Sequence, residues 1–223
     1  MTFNNVGSRG GRGLFITFEG PEGSGKTTQL QLLKKYLEDK GHRCVATREP
    51  GGTALGERLR EVIKHHDGEE TIADEAELLL IAAGRAQHVR KLIEPSLEAG
   101  KIVLCDRFYD STTAYQGYAR GIDINFVSRL NEYASCGFKP DMTFLLDLVP
   151  EEGFERTSRR IETLLLNDRI ESAGIDFHLA VYDGFHKIAA REPERVKIVP
   201  ADGPVELISQ RVRELFDNAF PEI

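Results

Sequence analysis

One stretch of eight residues constrains this chain more than any other. Gly20-Pro21-Glu22-Gly23-Ser24-Gly25-Lys26-Thr27 fits the pattern G-x-x-x-x-G-K-[ST]. Before it, Leu14 to Phe18 is a short apolar, β-rich run, which predicts a buried strand ending at Glu19-Gly20. After it, Leu30, Leu33 and Leu37 recur at helical spacing from Thr27 to Lys40, and Gly41 stands where a helix-ending glycine belongs. Strand, glycine-rich loop and helix in that order make a phosphate cradle. The glycines let successive N–H groups turn toward an anion, and the helix adds its positive N-terminal end. Lys26 supplies a point charge for the β/γ phosphates, and the Thr27 hydroxyl is a ligand for Mg²⁺.

The rest of the chain repeats the alternation. Strands are expected at Arg43–Thr47, Lys101–Cys105, Met142–Leu148 and Val196–Val199. Helical patterns cover Leu55–Lys64, Asp74–Ala99, Ser111–Ala119, Asn125–Ala134, Asp176–Ala190 and Val205–Phe216, and another helix opens at Pro150-Glu151. Pro95 is expected to break or kink the long second pattern. Five strands alternating with helices predict an α/β fold, a parallel sheet covered on both faces, with ligands beyond the C-terminal strand ends. Asp106, Arg107 and Arg48 fall at such ends, and Arg85 lies in the long helix. Together the arginines suggest a second anion site facing the loop. Residues 1–13 read as a flexible N-terminal tail and 14–223 as one domain.

Composition closes off other classes. With 223 residues, 40% of them hydrophobic, the chain has enough apolar material for a core. Its formal net charge of −7 argues against nucleic-acid binding. No apolar run is long enough to span a membrane, and no signal-peptide pattern opens the chain. Three cysteines, Cys44, Cys105 and Cys136, offer neither a disulfide framework nor zinc-ligand spacing, which suits the cytoplasm. Cys44 and Cys105 lie in apolar runs and read as core residues. A guanine-reading N-K-x-D and an L-S-G-G-Q are both missing, which argues against GTPases and ABC-type ATPases.

Five stretches then carry a resemblance. They are FEGPEGSGKTTQ (Phe18–Gln29), TREPGGT (Thr47–Thr53), AAGRAQ (Ala82–Gln87), DRFYDSTTAYQG (Asp106–Gly117) and KPDMTFLLDLVPEEG (Lys139–Gly153). In this order they resemble the thymidylate kinase family from about Leu14 to the C-terminus. The resemblance implies a P-loop NTPase fold with a five-stranded parallel sheet and a mobile lid, and usually a homodimer. It implies transfer from ATP to dTMP with Mg²⁺. It places Gly20 to Thr28 and Arg156 around ATP, and Thr27 and Asp106 at the metal. Arg48 and Arg107 look like the clamp on the acceptor phosphate, helped by Glu22. Ile81, Arg85, Ser111, Thr112, Tyr115 and Gln116 look like the base and sugar pocket, with Tyr115 leaving little room for a 2′-hydroxyl.

The catalytic cation is expected in the lid, at about residues 156–171. Some members of the family carry a basic residue within the P-loop, but Pro21, Glu22, Gly23 and Ser24 supply none. Arg156, Arg159, Arg160 and Arg169 remain, and by register from Pro150-Glu151 Arg160 is the expected finger. Three features depart from the family. Leu164-Leu165-Leu166 forms an apolar insert, Ala180 and Tyr182 stand where relatives commonly carry arginines, and Ile81 replaces a stacking Phe. Two other readings stay open: a kinase with a different acceptor, such as dUMP, and a nucleotide sensor that binds without transferring.

Overall fold

The five apolar runs become five parallel strands. The computed structural model describes residues 12–64, 71–156 and 173–223. The strands are β1 (Phe15–Glu19), β2 (Cys44–Arg48), β3 (Ile102–Asp106), β4 (Met142–Asp147) and β5 (Val196–Pro200), in spatial order β2-β3-β1-β4-β5. β1, β3 and β4 are almost wholly buried, as continuous apolar strands covered on both faces should be. β1 to β3 each begin and end one residue later than the hydrophobic pattern suggests. The polar residues Glu19, Arg48 and Asp106 are therefore the last rungs of the ladder rather than the first residues of loops.

The helices are α1 (Lys26–Asp39), α2 (Ala54–Lys64), α3 (Asp74–His88), α4 (Glu94–Glu98), α5 (Tyr109–Thr112), α6 (Ile124–Ala134), α7 from residue 150, α8 (Ile175–Arg191) and α9 (Val205–Ala219). The break expected at Pro95 takes another form. α3 runs into a π-helical turn, Val89–Ile93, and Pro95 sits in the first turn of α4, where its missing N–H costs least. A second π-helical stretch, Thr113–Ala119, follows α5 and carries Tyr115 and Gln116. π-Turns widen a helix and often mark functional sites.

Two cores flank the sheet. On one face Leu30, Leu33 and Leu37 of α1 and Ile208, Val212 and Phe216 of α9 pack on Ile16, Phe18 and Phe144. Leu30, Leu33 and Leu37 are no more than 2% exposed, and burial stabilises such a side chain by about 1.5–3 kcal/mol. On the other face Val89, Ile93 and Phe108 cover Phe15 and Val103, and α8 packs against Ala114 and Tyr115. Cys105 belongs to this core, whereas Cys44 is only half-buried, at the margin of the core on the other face. Arg12 and Gly13, read from the sequence as the end of a tail, are anchored: Arg12 Nη2 meets Asp141 Oδ1 at 2.7 Å, and Gly13 N donates to Leu97 O at 2.8 Å. Among the described residues no helix is long and apolar enough to cross a membrane.

Candidate active site

Register brings the site together. Phe18 and Arg48 both pair with Asp106 across β3, so three chain segments end in one row. The next residues are locked side by side: Arg107 N donates to Phe18 O, and Glu49 N donates to Asp106 O, both at 2.9 Å. Glu19, Glu49 and Arg107 thus stand together where the glycine-rich loop leaves β1.

That loop wraps around its own lysine. Lys26 Nζ donates to Pro21 O at 2.7 Å, Gly20 O at 3.1 Å and Ser24 Oγ at 3.3 Å. Burial, then the nearby Arg107 charge, pulls its pKa down to about 8. Gly23 is needed for space as well as for its φ of +73°. A Cβ there would meet Gly153 O of α7 at 2.5 Å, so α7 presses directly on the loop. Thr27 Oγ1 donates to Asp106 Oδ2 at 2.5 Å, placing two side-chain oxygens together beside the cradle.

Arg107 is the hub. It adopts φ +68°, a left-handed conformation uncommon for a side-chain-bearing residue and often found at functional sites. Its Nη1 reaches Gly20 O and Ser111 Oγ, both at 3.1 Å, and its Nη2 reaches Glu22 Oε1 at 2.5 Å. Burial alone would push the Glu22 carboxyl up, but Arg107, Lys26 and Lys64 outweigh it and hold it at about 2. Arg107 also lies over the Tyr115 ring, 5.2 Å from its centroid. Arg48 is more exposed and pairs with Glu57 Oε2 at 2.8 Å, while the other Glu57 oxygen accepts from Gly52 N.

The base-pocket candidates form the other end of the same cleft, which encloses about 1320 Å³. Ile81, Arg85, Ser111, Thr112, Tyr115 and Gln116 all line it, as do residues 22–28, Arg48, Asp106 and Arg107. Gly20 and Pro21 do not; they stand behind the loop and supply carbonyls to Lys26. Arg85 is 2% exposed, far from a surface charge. Its Nε donates to Glu49 Oε2, its Nη1 to Asn131 Oδ1 and its Nη2 to Thr112 Oγ1, at 2.7–2.8 Å. Arg156 lines the cleft on the α9 side and donates to Ala201 O at 3.0 Å. Arg159, Arg160, Arg169 and Leu164–Leu166 lie outside the described residues.

Several buried acids behind the arginines escaped the sequence reading. Glu49 holds Arg85 and also meets His88 Nδ1 at 3.0 Å. Glu19, fully buried, accepts from Phe108 N at 2.7 Å and from Ser111 Oγ at 2.5 Å. Since Ser111 Oγ accepts from Arg107, Glu19 steadies the hub through that hydroxyl. Both acids lie in or beside the matched stretches, so attention to each block's acids would have found them.

Burial, reinforced by Asp110, raises the Glu19 pKa to about 8. Asp110 is itself paired with Arg195, at 2.7 and 2.9 Å. Between an ordinary carboxyl pKa and about 8 the folded protein keeps a proton that the unfolded chain has lost, so stability falls as pH rises through that window. Glu19→Gln removes this slope. The melting temperature of the variant relative to the parent is expected to climb by about 7–14 °C between pH 5 and pH 8. A constant difference across that range in thermal melts rules the titration out.

A glycine-rich phosphate cradle at the C-terminal edge of a parallel sheet, with a second cluster of arginines across the same cleft, defines a P-loop phosphotransferase. Comparison with known proteins narrows the class. The family model described as thymidylate kinase matches residues 18–212. A thymidylate kinase of Synechococcus sp. (strain JA-2-3B'a(2-13)) is 47% identical over 208 residues, covering 93% of this chain and 96% of the relative. One from Desulfosudis oleivorans is 48% identical over 202 residues, covering 89% and 94%. The crystal structure of thymidylate kinase from Ehrlichia chaffeensis superposes with a TM-score of 0.74 at 36% identity, covering 92% of this chain and 99% of that one. The chain belongs to the thymidylate kinase family.

Proposed function

We propose that the chain transfers the γ-phosphoryl group of ATP to the phosphate of dTMP, giving ADP and dTDP for dTTP synthesis. The observation that carries this is Arg107. It joins the P-loop, through Gly20 O and Glu22, to the pocket wall, through Ser111 and Tyr115. A phosphate acceptor bound under Arg48 and Arg107 would face a triphosphate in the loop. Phosphoryl transfer depends chiefly on such positioning and on charge neutralisation.

In this reading the loop amides and Lys26 hold the donor phosphates, and Arg156 flanks the adenine. Arg107 and Arg48 clamp the acceptor phosphate in forked contacts. Glu22 orients Arg107 and meets the acceptor's 3′-hydroxyl. Thr27, with Asp106 through water, would hold Mg²⁺, whose oxygen preference their paired oxygens suit. Bound there, the ion screens charge on the transferring phosphate. Tyr115 packs on the deoxyribose. Arg160, in a lid over about 156–171 that moves to close on ATP, stabilises the transition state. Arg160→Ala is expected to lower kcat about a hundredfold with a smaller effect on KM. A larger kcat loss in Arg159→Ala or Arg169→Ala moves the role to that residue.

The direct test is a coupled ADP-release assay across dTMP, dUMP, dCMP, dGMP and UMP, with dTMP expected to give the highest kcat/KM. Binding without turnover would make the chain a sensor. Ile81 is half-buried and lines the cleft, so it is placed to meet the base. An Ile offers burial but no π-face, and base–aromatic stacking is worth about 1–3 kcal/mol. Ile81→Phe should therefore lower the KM for dTMP about three- to tenfold and leave that for ATP unchanged. An unchanged KM with a lower melting temperature would mean an overpacked wall instead.

The same reading makes the chain a cytoplasmic homodimer. Leu55 and Val62 of α2, Leu79 of α3, and Phe126 and Tyr133 of α6 are exposed hydrophobics on helices that pack side by side, α2 on α3 and α3 on α6. Such a surface favours a partner. Sedimentation should give twice the chain mass.

A further inference from the structure

Gln116 raises a question that its position alone does not answer. A glutamine amide has an acceptor end and a donor end, and a half-turn about its last bond exchanges them. In the cleft that Arg85 and Thr112 also line, the two orientations select opposite partners. One presents a carbonyl oxygen to a base and the other an N–H.

Glu77 settles the choice. It lies on α3, 1% exposed, behind the wall of the cleft. Its Oε1 is 2.7 Å from Gln116 Nε2, and its Oε2 is 3.7 Å from Arg120 Nη2. Arg120 is fixed in turn, 3.3 Å from Asp74 and 4.7 Å over the Phe177 ring. A carboxylate balanced by an arginine can only accept hydrogen bonds. The amide nitrogen must therefore face Glu77, and the amide oxygen must face the other way.

We infer that Glu77 is a specificity-determining positioning residue: it fixes the Gln116 carbonyl toward the acceptor base, so that the pocket takes a pyrimidine whose ring nitrogen carries a proton. The inference rests on the proposed nucleotide acceptor. It also explains the wall as a unit. Three of the five Arg85 N–H groups are committed to Glu49, Asn131 and Thr112, leaving two donors in the cleft that Gln116 also lines. Thymine offers the complement, a carbonyl oxygen at C4 beside the N3–H. Cytosine offers an amino group beside a bare N3, so it meets donor with donor and acceptor with acceptor.

The test compares Glu77→Gln and Glu77→Asp with the parent, measuring kcat/KM for dTMP and dCMP in the ADP-release assay and the KM for ATP. The amide introduced by Glu77→Gln can itself turn over, so that variant permits either orientation of Gln116. Its activity on dTMP should fall only about twofold, whereas activity on dCMP should rise, and the dTMP:dCMP ratio should drop at least about tenfold. The shorter carboxylate of Glu77→Asp still only accepts, so this variant should keep most of the discrimination. The KM for ATP should stay unchanged in both. Equal losses on both substrates, or a larger loss of discrimination in Glu77→Asp than in Glu77→Gln, would reduce Glu77 to a structural support and overturn the assignment. A parent that does not phosphorylate dTMP at all fails the functional reading instead. If Glu77→Gln does not fold, the parent decides: with ¹⁵N-labelled glutamine, one Gln116 amide proton should resonate downfield and exchange slowly. A fast-exchanging Gln116 pair overturns the inference.

Discussion

Lys26→Ala is expected to leave a folded protein that transfers phosphoryl groups about a thousandfold more slowly than the parent. The three contacts of Nζ are all to its own loop, at Gly20, Pro21 and Ser24. None reaches the two cores that hold the sheet, so truncation removes a ligand-facing charge and little else. Burial and Arg107 already depress its pKa to about 8, so the ammonium is held at a disadvantage that an incoming phosphate would relieve. A coupled assay and a thermal melt on the same sample check both halves of the statement. Turnover within tenfold of the parent, in a variant with the parent's melting temperature, would remove Lys26 from the mechanism.

Arg107→Ala should lower kcat/KM for dTMP by about three orders of magnitude while changing the affinity for an ATP analogue much less. The residue holds four groups at once: Gly20 O, Ser111 Oγ, Glu22 and the Tyr115 ring. Its loss unties the loop from the pocket and leaves the half-buried Glu22 without its nearest partner. Arg107→Lys keeps the charge but not the planar fork, so it should recover only a small part of the activity. The strained φ of +68° adds a structural check: the alanine variant is free to relax there, so any crystal structure should show the backbone change. A kcat/KM within tenfold of the parent would place the acceptor phosphate elsewhere.

Much of this architecture was legible in the residues. Apolar runs alternating with helical patterns were enough for five strands in a parallel sheet, because strands buried on both faces must be apolar throughout. The glycine pattern located the cradle, because few other residues tolerate that backbone path. The strand ends came out one residue early, at Phe18, Thr47 and Cys105. Hydrophobicity stops at the last apolar residue, whereas Glu19, Arg48 and Asp106 continue the ladder through hydrogen bonds that composition does not reveal. Pro95 was legible as a disturbance but not as a π-turn six residues earlier, since the widening answers to packing rather than to the proline alone.

What the sequence by itself determined was the set of groups available to the proposed chemistry: a glycine-rich loop, its lysine, the Thr27 and Asp106 oxygens, and arginines at the strand ends. These are one-residue properties or short-range patterns, and they survive without coordinates. What only the tertiary structure decided was how those groups are held. Arg85 became a buried residue committed to Glu49, Asn131 and Thr112, and Arg48 became a rim residue paired with Glu57. Glu77, on α3, came to face Gln116 across 39 positions of sequence. Such pairings depend on which helix faces meet across the sheet, and orientation, unlike residue type, is a property of the packed fold.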